Sequence, residues 1–187
     1  MASLPDAVVL VEGLSDCFAV QAAAKQAGRN LENERASVVP MGGATNLGRF
    51  LAHFGASGLS VRLAGLCDLA EAAFFGRTLA RVGVTERADR AAMAAIGFFV
   101  CERDLEDELV RALGPRRVEA IVKQEGELGS LRKLQQMPFH RSRTIDDQLH
   151  RFMGARSGRK YRYAPLLVDA LDGIDLPRPL DDLLSYV

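Results

Sequence analysis

Residues 7–13 read Ala-Val-Val-Leu-Val-Glu-Gly, an unbroken apolar run that stops at an acid and a glycine. Apolar residues without alternation fit a short strand buried on both faces, the kind found inside a parallel sheet. A helical pattern follows, DCFAVQAAAKQAG, which Ser15 can cap and Gly28 can stop. The same succession recurs downstream. Ser37–Pro40 predicts a second strand, after which Thr45 or Asn46 can cap a helix through LGRFLAHF. Val61–Leu66 predicts a third strand before a helix near Ala70–Val82. Gly97–Cys101 predicts a fourth, before a helix from Leu105 to Leu113. Strands alternating with helices imply βαβ units, hence an α/β fold with a mainly parallel sheet of about four strands. Right-handed crossovers bring the C-terminal ends of all strands to one edge, where open α/β sheets bind ligands. Beyond residue 115 the strand signals fade, and helical patterns continue at 116–124, 127–136, 144–154 and 160–172. The expected organisation is a core at 5–115 with a helical, basic C-terminal extension at 116–187 packed on it.

Three of the four expected strands deliver acids to that edge. Glu12 follows the first, Asp68 the third, and Asp104 and Glu106 the fourth. Carboxylates held together repel one another, and a hard divalent cation removes the penalty. Each acid also has a plainer use. Asp16, Glu71, Asp104 and Glu106 all stand at helix starts, where a negative charge favours the helix dipole by about 0.3–1 kcal/mol. Glu12 lacks that explanation, because it ends a strand directly before Gly13.

The chain has 187 residues, and 48% of them are hydrophobic. That is enough to bury a core without a disulfide or metal staple, so any metal is expected to be catalytic. The three cysteines, Cys17, Cys67 and Cys101, show no CxxC spacing, which argues against a disulfide framework or a zinc site. His53, His140 and His150 have no metal-ligand spacing either and read as incidental, while Tyr161, Tyr163 and Tyr186 read as packing residues. The N-terminus lacks the basic region of a signal peptide, and no apolar stretch is long enough for a membrane span, so a cytoplasmic location is expected.

The net charge is zero, but it is unevenly spread. Residues 1–110 hold ten Lys/Arg against fourteen Asp/Glu, whereas residues 111–162 hold thirteen against five. An acidic part followed by a basic one suits an enzyme that binds a cation and a polyanion together. Solvated, one-sided helix faces would give the same counts.

VEGLSD at 11–16, the Gly-Gly-Ala-Thr-Asn turn at 42–46, Asp68, and FFVCERDLEDELVRALG at 98–114 together resemble the TOPRIM domain. This domain is shared by topoisomerases, DnaG-type primases, RecR-type recombination proteins and the overcoming-lysogenization-defect (OLD) nucleases. The closest likeness is to the OLD branch, and SGRKYRYAPLL at 157–167 resembles the segment where those nucleases keep a lysine.

The resemblance implies a TOPRIM core with Glu12 and Asp16 as its first acidic motif. Asp68 matches the first Asp of the family's DxD motif. The second is replaced by Ala70, with Glu71 next to it. That departure, with no topoisomerase tyrosine context and no primase zinc module, points away from those branches. Asp104 and Glu106 match the DLE motif, and Lys160 matches the lysine that stabilises charge on the phosphate. No GxxxxGK[ST] occurs, so the chain resembles a stand-alone TOPRIM protein whose ATPase, if one is needed, is a separate chain.

The implied activity is Mg²⁺- or Mn²⁺-dependent DNA cleavage at a two-metal site. Glu12, Asp16 and Asp68 would hold one cation, Asp104 and Glu106 the other, and Glu71 would complete either. Arg132, Lys133, Arg141, Arg143, Arg151, Arg156, Arg159 and Arg162 would grip the DNA backbone, where phosphate contacts give affinity without sequence readout. Two alternatives remain: a non-catalytic nucleic-acid-binding or assembly module, and a nucleotidyl transferase using the same metals.

Overall fold

The computed structural model describes residues 4–156 and 158–187. Four strands, β1 (Ala7–Val11), β2 (Ala36–Pro40), β3 (Arg62–Asp68) and β4 (Phe98–Cys101), form one sheet in the order β2-β1-β3-β4. Every pairing is parallel. β3 extends two residues beyond its expected end, so Asp68 is its last residue and lies in register with Cys101.

β1 is buried along its full length because both of its faces are covered. Ala7, Val9 and Val11 belong to one apolar cluster, and Val8 and Leu10 to the other, as the two-residue period of a strand requires. The second face is covered by α2 (Leu47–Phe54), α3 (Leu69–Arg81) and the short α4 (Arg90–Ala95). The first face carries α1 (Leu14–Gln26) and α5 (Leu105–Leu113). The same apolar cluster runs without a break through α6 (Pro115–Gln124), α7 (Leu128–Gln136), α8 (Ile145–Gly154), α9 (Arg159–Asp169) and α10 (Arg178–Tyr186). The late helices therefore share a core with β1 and α1.

Two caps differ from expectation. α1 starts at Leu14, and its N-cap is Gly13, whose N–H donates to Asp16 Oδ2 at 2.9 Å, so Ser15 lies inside the helix. Before α2, residues 44–46 form a 3₁₀ turn; Asn46 holds the N-cap position as expected, but its Nδ2 donates back to the Met41 carbonyl at 2.9 Å and its side chain makes no capping bond. Tyr163 is fully buried, and Tyr186 packs its ring against Phe99. Tyr161 is 48% exposed, with its ring 6.3 Å from that of Phe18, and so does not pack in the core.

Gly65 in β3 shows how closely the sheet and its cover are fitted. A Cβ there would lie 2.7 Å from the Leu10 carbonyl oxygen and 3.0 Å from the Phe98 ring. Gly65→Ala is expected to destabilise the fold by about 2 kcal/mol, because the Leu10 backbone carbonyl and the Phe98 ring must both give way in a packed interior. A urea midpoint matching that of the parent would show that β1 and the ring have room to move.

Candidate active site

The carboxyl edge of the sheet gathers its acids from β1, β3 and the loop after β4. Glu12 follows β1 directly, and Asp16 comes one helical turn later in α1. Asp68 ends β3 and is also the N-cap of α3, whose first turn holds Glu71. Asp104 caps α5, where its Oδ1 accepts the Asp107 N–H at 2.8 Å. Glu106 lies in the first turn of that helix and is 4% exposed.

Lys160 reaches this edge from α9. Its Nζ lies 3.1 Å from Glu106 Oε2 and 3.5 Å from Asp104 Oδ2. His150, on α8, places Nε2 2.7 Å from the same Asp104 oxygen. His150 therefore belongs to the site and is not incidental. Its own helix gives no sign of this, because the partner lies 46 positions away in sequence.

The electrostatics divide the acids into two groups. Asp16 and Asp68 are each pushed up to about 7, chiefly by burial and then by neighbouring carboxylates. Glu12 is also raised, by burial first and then by Glu71, Glu106 and Asp104. Glu71 is therefore the strongest carboxylate influence on Glu12, although Ala70 beside it is exposed and carries no acid. Asp104 is held at about 2. Burial opposes this, but bonds from His150 and the Asp107 N–H, with the charges of His150 and Lys160, outweigh it. Burial likewise opposes the charged form of Lys160, and Glu106 and Asp104 more than offset it, raising its pKa. One end of the edge is thus compensated, while the other carries mutually repelling carboxyls.

Among the described residues, no three His, Cys, Asp or Glu side chains are drawn into a preformed metal cage. Glu106 Oε1 is buried with no hydrogen-bond partner, an arrangement that costs about 1–3 kcal/mol and suits a site that receives a ligand. The donors are all carboxylate oxygens, which match Mg²⁺ or Mn²⁺ in hardness. Cys67 and Cys101 are buried strand residues, and burial pushes the Cys67 thiol up to about 12.

The basic residues differ in what they touch. Lys133, Arg141, Arg143 and Arg151 are exposed. Arg132 is turned onto Glu119, and Arg156 and Arg162 onto Glu127. Arg159 corrects the expected DNA grip. It is 5% exposed, donates to both Glu127 oxygens and to the Phe152 carbonyl, and stacks 3.8 Å over the Phe152 ring. It serves as an internal anchor. Ser157, which opens the SGRKYRYAPLL segment, lies outside the described residues.

Residues 4–69 match the family model "Overcoming lysogenization defect protein-like, TOPRIM domain". No curated protein matches the chain. Among solved structures, the C-terminal region of the Burkholderia pseudomallei OLD protein superposes with a TM-score of 0.74 at 20% identity, covering 98% of this chain and 97% of that one. The C-terminal region of the Xanthomonas campestris pv. campestris OLD protein gives 0.74 at 23% identity, covering 98% and 92%. At these identities the structural likeness is one of fold. The chain thus resembles the TOPRIM domain of OLD proteins in sequence over residues 4–69, and shares the fold of their C-terminal region over nearly its whole length.

Proposed function

We propose that this chain is a metal-dependent DNA nuclease that hydrolyses phosphodiester bonds at the carboxyl edge of its sheet. The observation that carries this reading is Lys160, whose ammonium stands against Glu106 and Asp104 on the edge that also bears Glu12, Asp16 and Asp68. Glu12, Asp16 and Asp68, completed by Glu71, would hold one cation, and Asp104 with Glu106 would hold the other. Bound Mg²⁺ or Mn²⁺ would polarise the phosphoryl group and make water a stronger nucleophile at neutral pH.

The remaining work falls to the side chains. Glu12, with its carboxyl raised above the ordinary value, accepts the proton of the attacking water. The water oxygen bonds to phosphorus while the P–O bond to the leaving sugar oxygen breaks, and that oxygen takes up a proton from solvent to leave as a hydroxyl. Lys160 offsets the negative charge that develops on the phosphate. His150 is a positioning residue that fixes the Asp104 carboxylate.

Purified protein is expected to nick or linearise supercoiled plasmid with Mg²⁺ or Mn²⁺ and to leave it intact in EDTA. Glu12→Ala is expected to lower the rate at least about 100-fold. Plasmid that is bound but never cut under either metal would overturn the nuclease reading. Ala70, which removes one acid from the DxD position, favours the second reading, a nucleic-acid-binding module that works with a separate ATPase chain. Joined rather than shortened products would instead indicate nucleotidyl transfer.

A further inference from the structure

Beside the acidic edge lies a cleft of about 390 Å³ lined by Arg103, Phe139, His140, Arg143, His150 and Arg151. Its size lies in the range of small-molecule pockets, about 300–1,000 Å³. Phe139 is 69% exposed, the most exposed of the large apolar side chains among the described residues. The Arg143 guanidinium lies 4.4 Å from its ring centroid, and the His140 ring meets it edge-on. Arg143 covers one face of the phenyl ring, and its high exposure leaves surface for a second flat partner. His140 is 8% exposed, and its Nδ1 has no hydrogen-bond partner.

The cleft adjoins the reaction centre. His150 lines it and also contacts Asp104 at 2.7 Å. Gly154, at its rim, lies where a Cβ would be 3.8 Å from Lys160 Cε. Arg103 is shared with Asp147 at 2.9 Å, while Arg143 and Arg151 make no ion pair among the described residues. An open aromatic face ringed by guanidinium groups suits a flat base joined to a phosphate. An apolar peptide would leave those charges unmatched.

Resting on the nuclease reading, we infer that this cleft is a subsite for an unstacked nucleotide of single-stranded DNA next to the bond being cut. The base stacks on Phe139, and its phosphate sits among Arg103, Arg143 and Arg151. A paired base inside a duplex cannot offer its face, so the subsite selects strands that are already open.

The test is equilibrium binding in EDTA, where no cleavage intervenes. A fluorescent oligo-dT of about 12 nucleotides is compared with a blunt duplex of the same length. Phe139→Ala is expected to weaken oligo-dT binding about tenfold while leaving duplex binding within about twofold. The chain contains no tryptophan, so Phe139→Trp introduces a sole indole reporter. Its emission is expected to be quenched as oligo-dT saturates the protein. Unquenched emission at saturation, equal losses for both DNA forms, or no oligo-dT binding by the parent protein would each overturn the subsite. Tighter binding of oligo-rU than of oligo-dT would overturn its assignment to DNA. The two readings can fail separately. Cleavage that persists without stacking removes the subsite alone, and stacking without cleavage in any metal removes the nuclease alone.

Discussion

Lys160→Ala is expected to lower plasmid cleavage by about 100- to 1,000-fold, the loss typical of removing one group aimed at developing charge. The fall should appear in kcat, with KM little changed, because the other exposed arginines still hold the DNA backbone. Thermal stability should fall by no more than about 3 kcal/mol, because the ammonium is partly exposed although Glu106 beside it is buried. That contrast separates a chemical role from a structural one. Lys160→Arg preserves the charge but replaces a compact ammonium with a planar fork, so it should restore little of the rate. A Lys160→Ala variant that cuts within about threefold of the parent would remove the residue from the mechanism.

The second large effect lies away from the chemistry, at Glu127. This side chain, at the N-cap of α7, accepts bonds from Arg159 Nε and a terminal nitrogen at 3.2 and 3.0 Å, from Tyr163 Oη at 2.9 Å and from Arg162. Glu127→Ala leaves the buried Arg159 charge with only the Phe152 carbonyl as a hydrogen-bond acceptor, which should cost about 3 kcal/mol. Glu127→Gln keeps the shape and removes the charge, so its urea midpoint should fall between those of Ala and the parent.

The pH dependence has a definite sign. Burial alone would raise the Glu127 carboxyl, but the bonds from Arg159 and Tyr163 and the charges of Arg159 and Arg162 hold it below its ordinary value of 4.5. A depressed folded-state value means that the stabilisation is complete above the unfolded value and is lost as pH falls through the folded one. The parent should therefore lose part of its advantage over Glu127→Gln in the acid range below 4.5 and keep it at neutral pH. Parallel acid limbs for the two proteins would show that Glu127 titrates alike folded and unfolded.

The strands were legible because burial on both sides writes itself as continuous apolar runs, and α5 lies where its pattern places it. Proline obscured the end of the chain. Pro177 and Pro179 look like helix breakers, yet Pro179 occupies the first turn of α10, where a missing N–H costs nothing. The six-residue α4 is too short for its pattern to stand out. At the site, carboxylates that end strands could be read because the chain delivers them at fixed positions. The His150 partner of Asp104 and the Glu127 partner of Arg159 could not. Each pair is made by helices that meet only after packing, so no spacing along the chain encodes it. The basic residues showed the converse limit, since a count of charges does not distinguish an arginine facing solvent from one turned inward onto a glutamate.

Helix α9 lies against α1 within the core beneath the sheet. A helix made late thus packs on one made early, since synthesis reaches α1 well before α9. A chain made only as far as α5 already holds every carboxylate of the edge and nothing from α8 or α9 to balance them. What it presents is a row of repelling acids. The docking of α8 and α9 and the charge balance of the edge are a single event, so the arrival of those two helices is what turns that row into a poised site.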